Sequence, residues 1–130
     1  MPKFGGTSQK RLYTCDQRLQ EICNEAIKVF DLSVLCGYRS ASEQAELYRD
    51  GKSKLQYPMS KHNESPSKAV DIAPYPIDWN DTGRFKLLAG VMFAIAHTKG
   101  YKLRWGGDWD GDWDMKDQNF NDLPHFEIRD

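Results

Sequence analysis

A chain of 130 residues is one domain's worth of polypeptide. Lysine and arginine number 18 against 19 acidic side chains, for a net charge of −1, which excludes a basic nucleic-acid wrapper. With 39% apolar and 12% aromatic residues the chain can build a core and does not read as a disordered tail.

The apolar positions Leu12, Cys15, Leu19, Ile22, Cys23, Ala26, Ile27 and Phe30 recur at threes and fours, so residues 8–30 read as an amphipathic helix. Thr14 and Gln17 fit a capping box, which would start the helix late or break it there. Residues 32–38 read as a short strand. Ser40 and Glu43 form a capping box ahead of a helix over 41–49 that Gly51 stops. The Lys-, Ser- and Pro-rich stretch 52–68 is a loop, and 69–73 a strand ended by Pro74 and Pro76. Residues 82–99 form a second long helix, apolar nearly all round and so expected to be buried, closed by Gly100. Strands over 101–105 and 125–129 complete the pattern. The expected class is α+β, a single domain over 1–130 with an antiparallel sheet and helices packed on it.

The longest apolar stretch, 87–96, falls far short of the roughly 20 residues needed to span a bilayer, so no membrane insertion is expected. The first residues lack the apolar core of a signal peptide, and synthesis in the cytoplasm is expected. Cys15, Cys23 and Cys36 have no C-x-x-C spacing, which favours buried reduced thiols over a zinc knot or a disulfide framework.

Chemistry concentrates around two of the three histidines. Alternation along Val70-Asp71-Ile72 puts Asp71 on the face opposite Val70 and Ile72. The same rule turns His125 away from Phe126 and Ile128. His62, in the loop nine positions before Asp71, supplies a third candidate. Two imidazoles and a carboxylate with an open fourth position form the pattern of a catalytic zinc site. Asp122, three residues before His125 in a turn stiffened by Pro124, could reach the metal's water as general base without binding the metal. His97, in the last turn of its helix, reads as a dipole-complementing cation.

The C-terminal residues 106–130 carry eight acidic side chains against two basic ones. Asp108, Asp110, Asp112 and Asp114, with Asp117 beyond, could collect calcium or form a solvated acidic loop; the spacing departs from an EF-hand. Trp105, Trp109 and Trp113 suit either core packing or a cleft wall.

The segment Ser60-Lys-His62-Asn-Glu-Ser-Pro66-Ser67-Lys-Ala69-Val-Asp71-Ile-Ala-Pro74, joined to Trp105-Gly-Gly-Asp-Trp109 and Asp122-Leu-Pro-His125-Phe-Glu127, resembles the zinc D-alanyl-D-alanine carboxypeptidase and dipeptidase superfamily. Within it, the chain is most similar to phage-type L-alanyl-D-glutamate endopeptidases. The resemblance implies zinc on His62, Asp71 and His125, with Asp122 as the catalytic acidic residue. It implies an oxyanion or substrate role for Arg39 and a substrate-side role for Ser60. Pro66-Ser67 between His62 and Asp71, and Asp rather than Glu at 122, depart from many relatives. The implied function is hydrolysis of a peptidoglycan stem bond by a monomeric endolysin without a separate wall-binding domain, reaching the wall after holin-mediated release. The alternatives are a D-alanyl-D-alanine carboxypeptidase or dipeptidase, and a non-catalytic metal-containing module of the same fold.

Overall fold

The computed structural model describes residues 2–114 and 122–129. In chain order they form α1 (Gly6–Leu12), α2 (Gln17–Val29), β1 (Leu32–Cys36), α3 (Ala41–Arg49), a 3-10 turn (Lys61–Asn63), β2 (Ala69–Pro74), α4 (Thr82–Lys99), β3 (Lys102–Gly106) and β4 (Asp122–Arg129). The four strands make one antiparallel sheet in the order β1-β2-β4-β3. The α+β class expected from the residue pattern is the one observed.

The core fills the space between one face of the sheet and helices α2 and α4. Leu19, Ile22, Cys23 and Ala26 come from α2, and Leu88, Met92 and Ala96 from α4. Val34, Val70, Ile72, Leu103, Phe126 and Ile128 meet them from the strands. Helix α4 is not buried all round: Leu87 is 65% exposed, because a single helical layer covers its sheet with one face only.

The first helix expected over 8–30 is two helices, broken at residues 13–16. Asp16 caps α2 through its side chain, which accepts from the Arg18 N–H. Thr14 does not cap; its hydroxyl donates to the Arg11 carbonyl and accepts from the Tyr38 N–H. The break has a long-range cause. Asp16 N–H donates to the Ser67 carbonyl and Ser67 N–H to the Thr14 carbonyl, both at 2.8 Å, so this turn anchors the segment that leads from His62 to Asp71.

Strand β1 stops at Cys36, two residues early, since the backbone of residues 37–39 turns toward His62. Strand β3 runs one residue later than expected. Strand β4 starts at Asp122, three residues early, so Asp122 and Pro124 lie in the strand rather than in a turn before it. Its pairing with β3 slips there, from Trp105 opposite Phe126 to Gly106 opposite Asp122. Gly106 makes this possible, because a Cβ at that position would collide with the Asp122 carbonyl. Cys15 and Cys23 are buried free thiols, but Cys36 is only half buried. Burial pushes the Cys15 thiol up to about 12.

Candidate metal centre and cleft

The face of the sheet away from the core carries the chemistry. Asp71 stands directly opposite His125 on β4 and opposite Cys36 on β1. Cross-strand partners project to the same face, so register alone gathers these three. Cys36 joins them through a bulge: pairing jumps from Val34 opposite Ile72 to Cys36 opposite Asp71, leaving Leu35 as the extra residue. His62 arrives from the 3-10 turn, where the buried Ser60 hydroxyl accepts from the His62 N–H.

Both imidazoles point at one oxygen. His62 Nε2 lies 3.2 Å and His125 Nδ1 3.1 Å from Asp71 Oδ1. Each ring is held from behind by an acceptor. His62 Nδ1 is 2.7 Å from the Gly37 carbonyl, and His125 Nε2 is 2.7 Å from Glu127 Oε1. Those acceptors assign a proton to His62 Nδ1 and to His125 Nε2, leaving His62 Nε2 and His125 Nδ1 to face the carboxylate. Two ring lone pairs cannot rest against a carboxylate without positive charge between them. Protons on the rings can meet that need. Burial works against charging His62, but its hydrogen bonds to Asp71 and Cys36 raise it to about 10. His125 is raised for the same reason by Asp71 and Glu127, again against burial. Burial would raise Asp71, yet its hydrogen bonds from His125 and His62 hold it far below the carboxylate range.

A cation meets the same need, and the donor set fits one. Two groups of three ligand atoms, each within 4.8 Å of one another, share Asp71: Cys36 with His62, and Asp122 with His125. The sequence-predicted set His62, Asp71 and His125 spans both groups. Imidazole nitrogens, carboxylate oxygens and a thiol are donors that a cation such as zinc takes, and the carboxylate behind His125 and the carbonyl behind His62 fix ring orientation. Gly37 is suited to its post, since a Cβ there would collide with the Thr14 hydroxyl and the Arg11 carbonyl.

Two neighbours take places that sequence reasoning did not assign. Glu127, quoted in the motif and considered there only as a substitute base, is buried and sits behind His125, with its other oxygen 3.6 Å from Arg104 Nη1. Alternation from His125 would have put it there, since the two share a face. Cys36 has no such signal, because alternation from Leu32 and Val34 assigns it to the core face.

Arg39 reaches the centre. Its Nη2 is 3.7 Å from Asp71 Oδ2 and its Nη1 donates to Gln44 Oε1 at 3.0 Å. Asp122 is partly buried, and that burial, followed by the nearby Asp71 charge, raises its carboxyl above the usual range. These residues and Ser60 line a cleft of about 490 Å³, whose walls include Lys52, Lys54, Lys61 and Trp109. Two other hollows of about 480 Å³ exist, but among the described residues only the first unites two imidazoles.

The tryptophans divide. Trp105 is buried and stacks near Phe126 with centroids 6.2 Å apart. Trp109 lies against His125 at 5.3 Å, with the Arg104 guanidinium 5.1 Å above its ring. Trp113 is exposed and packs edge-on against Phe93. In the acidic loop, Asp108, Asp110 and Asp112 place carboxylate oxygens within 4.8 Å of one another. Asp114 is not in that group; its N–H donates to Asp112 Oδ1 at 2.8 Å. Asp117 lies outside the described residues. His97 sits in the last turn of α4, exposed and away from the cleft.

The profile of the phage L-alanyl-D-glutamate peptidase family matches residues 1–129. The chain belongs to that family. It is therefore a peptidase of the L-alanyl-D-glutamate type. The crystal structure of the Serratia marcescens L-Ala D-Glu endopeptidase ChiX is similar in fold, with a TM-score of 0.77 and 24% sequence identity. The likeness covers 98% of this chain and 90% of that one. Among the described residues, no helix of this family member is long and apolar enough to cross a membrane.

Proposed function

We propose that this peptidase is a zinc enzyme of host lysis that cuts the L-Ala–D-Glu bond of peptidoglycan stems, with zinc held by His62, Asp71 and His125. The observation that supports it is the pair of imidazoles turned by Gly37 and Glu127 onto one Asp71 oxygen. Zinc bound by these residues would supply Lewis acidity, polarising a carbonyl and lowering the pKa of water. Asp122, whose carboxylate stands close to Asp71 and His125, accepts a proton from the attacking water and returns it to the leaving amine. Arg39 offsets the negative charge that develops on the scissile oxygen, and Ser60 lines the substrate side while holding the His62 turn. The lysines along the cleft attract the acidic stem peptide. The enzyme works as a monomer made in the host cytoplasm and released to the wall through a holin.

Digestion of purified peptidoglycan, followed by mass spectrometry of the termini, tests the bond. A new free amine on D-Glu, with L-Ala left on the muramic side, is expected. Release of D-Ala or D-Ala-D-Ala without that cut transfers the assignment to a carboxypeptidase or dipeptidase.

A second cation, calcium, suits the acidic loop on one specific observation. Asp108 is buried, its Oδ2 accepts from the Trp113 N–H at 2.8 Å, and its Oδ1 has no hydrogen-bond partner among the described residues. Asp110 and Asp112 oxygens stand beside it, an oxygen-rich set of the kind calcium takes. Calorimetric titration with calcium tests this: heat of binding is expected in the wild type and its loss in Asp108→Asn. No binding to the zinc-loaded protein returns the loop to a solvated acidic turn.

A further inference from the structure

Helix α3 buries only one side chain, and that side chain is polar: Gln44, fully enclosed. A helix tied down by an amide rather than by an apolar stripe is unusual enough to require an account. Every hydrogen-bonding position of the amide is used. Gln44 Oε1 accepts from Arg39 Nη1 at 3.0 Å and from Asn63 Nδ2 at 3.4 Å. Gln44 Nε2 donates to Ser53 Oγ at 2.9 Å and to the Leu55 carbonyl at 2.6 Å. Two donors and two acceptor positions exhaust what a glutamine offers. The reversed orientation would set oxygen against the Leu55 carbonyl and N–H groups against the Arg39 guanidinium, so one orientation alone is satisfied.

Each partner leads to a different part of the cleft. Arg39 carries its other nitrogen to 3.7 Å from Asp71 Oδ2. Asn63 also donates to the Arg39 carbonyl and accepts from the Ser60 N–H, which ties in the turn that bears His62. Ser53 and Leu55 belong to the cleft wall that carries Lys52 and Lys54. From its other end that wall hangs on α3, through Lys52 and Ser53 N–H donors to the Leu47 carbonyl.

We propose that Gln44 is a positioning residue that sets the Arg39 guanidinium against the centre and pins the lysine wall over residues 52–55 through one buried amide. Its acceptor side governs turnover through Arg39, and its donor side governs substrate binding through the wall. The proposal rests on the peptidase assignment of the cleft, and two substitutions separate its two sides. Gln44→Met keeps length but removes all four bonds. Gln44→Glu keeps an acceptor for Arg39 but turns an oxygen toward the Leu55 carbonyl.

Steady-state kinetics on muropeptides and deuterium uptake over residues 52–56 are measured for both variants, with zinc content checked. For Gln44→Met, kcat is expected to fall about tenfold or more, as for a displaced catalytic group, with KM raised and zinc retained. For Gln44→Glu, kcat is expected to recover toward wild type while KM stays high. Uptake over 52–56 rises in both. Wild-type kinetics and uptake in Gln44→Met, with only a lower melting temperature, would overturn the proposal. So would equal losses of kcat in the two variants. If Gln44→Met does not fold, Ser53→Ala weakens the wall arm from outside the core, and unchanged uptake in that variant overturns the proposal equally. Should the wild type cut no muropeptide, the assignment of the cleft fails, while the uptake comparison still decides the role of Gln44.

Discussion

Glu127 offers the sharpest test of how the centre is built. Its Oε1 lies 2.7 Å from His125 Nε2 in a buried setting, and its Oε2 is 3.6 Å from Arg104 Nη1. Burial alone would raise this carboxyl, but the His125 hydrogen bond and charge hold it below its ordinary value, so it is ionised at neutral pH. Glu127→Ala leaves His125 Nε2 without its acceptor and frees the ring to carry its proton on Nδ1, the nitrogen that the proposed zinc would take. Loss of such an outer partner costs about 10- to 100-fold in metal affinity, or about 1.4–2.8 kcal/mol. Glu127→Gln still presents an oxygen to Nε2 but without charge, so its affinity is expected between those of wild type and Glu127→Ala. Competition against a chelator of known affinity measures this directly, with circular dichroism as the check on folding. Unchanged zinc affinity in folded Glu127→Ala would refute the reasoning. If Glu127→Gln instead kept zinc and lost turnover while Asp122→Asn kept turnover, Glu127 rather than Asp122 would be the base.

Three further outcomes follow from the same geometry. His125→Ala should release most of the zinc by elemental analysis, whereas Asp122→Asn should retain it and lose about 100-fold or more in hydrolysis; near-normal turnover of Asp122→Asn would make that residue structural. Gly106→Ala forces a Cβ into the Asp122 carbonyl, so a loss of about 1–3 kcal/mol in stability and a displaced Asp122 with reduced turnover are expected; wild-type melting and activity would reject the close-approach argument. Asp16 is lowered to about 2, chiefly by its side-chain hydrogen bond with Arg18, so its stabilising contribution is present above the unfolded carboxyl value of 3.8 and lost as pH falls through about 2. With partial solvent screening, Asp16→Ala should cost about 1–2 kcal/mol at neutral pH, and denaturant melts should show the gap closing between about pH 4 and pH 2; a gap independent of pH would mean that the Asp16 charge contributes nothing.

What could be read from the residues was what alternation and local capping control. Val70 and Ile72 against Asp71, and Phe126 and Ile128 against His125, sorted correctly because period two is a local property of a strand. The α3 capping box was equally local: Ser40 and Glu43 bond as their spacing demands. The misses all depend on a distant partner. A break near Thr14 was legible, but not that Asp16 rather than Thr14 would cap α2, in a turn whose backbone groups pair with Ser67 some fifty residues downstream. Asp122 lies in a strand because Gly106 lets the chains approach. Cys36 faces the centre because a bulge reverses the alternation that would have buried it. Gln44 drew no reading at all, because its four partners come from residues 39, 53, 55 and 63 and only the fold brings them together.

These facts place the burden of accuracy on register. Asp71 meets His125 only because β2 and β4 pair Val70 with Phe126, Asp71 with His125 and Ala69 with Glu127. A slip of one residue in β4 would bring Pro124 or Phe126 opposite Asp71 and send His125 toward the core. What forbids the slip lies on the other face. Val70, Ile72, Phe126 and Ile128 are each at most 1% exposed, and each is worth about 1.5–3 kcal/mol when buried. Four such side chains approach the whole stability of a small domain, about 5–15 kcal/mol. The core face alone can therefore hold the register, which leaves the opposite face free to gather two imidazoles, three carboxylates and a guanidinium that would never pack together for stability. A mutation on the core face that loosened this pairing would accordingly be expected to cost zinc affinity before it cost the fold, because His125 and Asp71 need the register to within one residue and the helices do not.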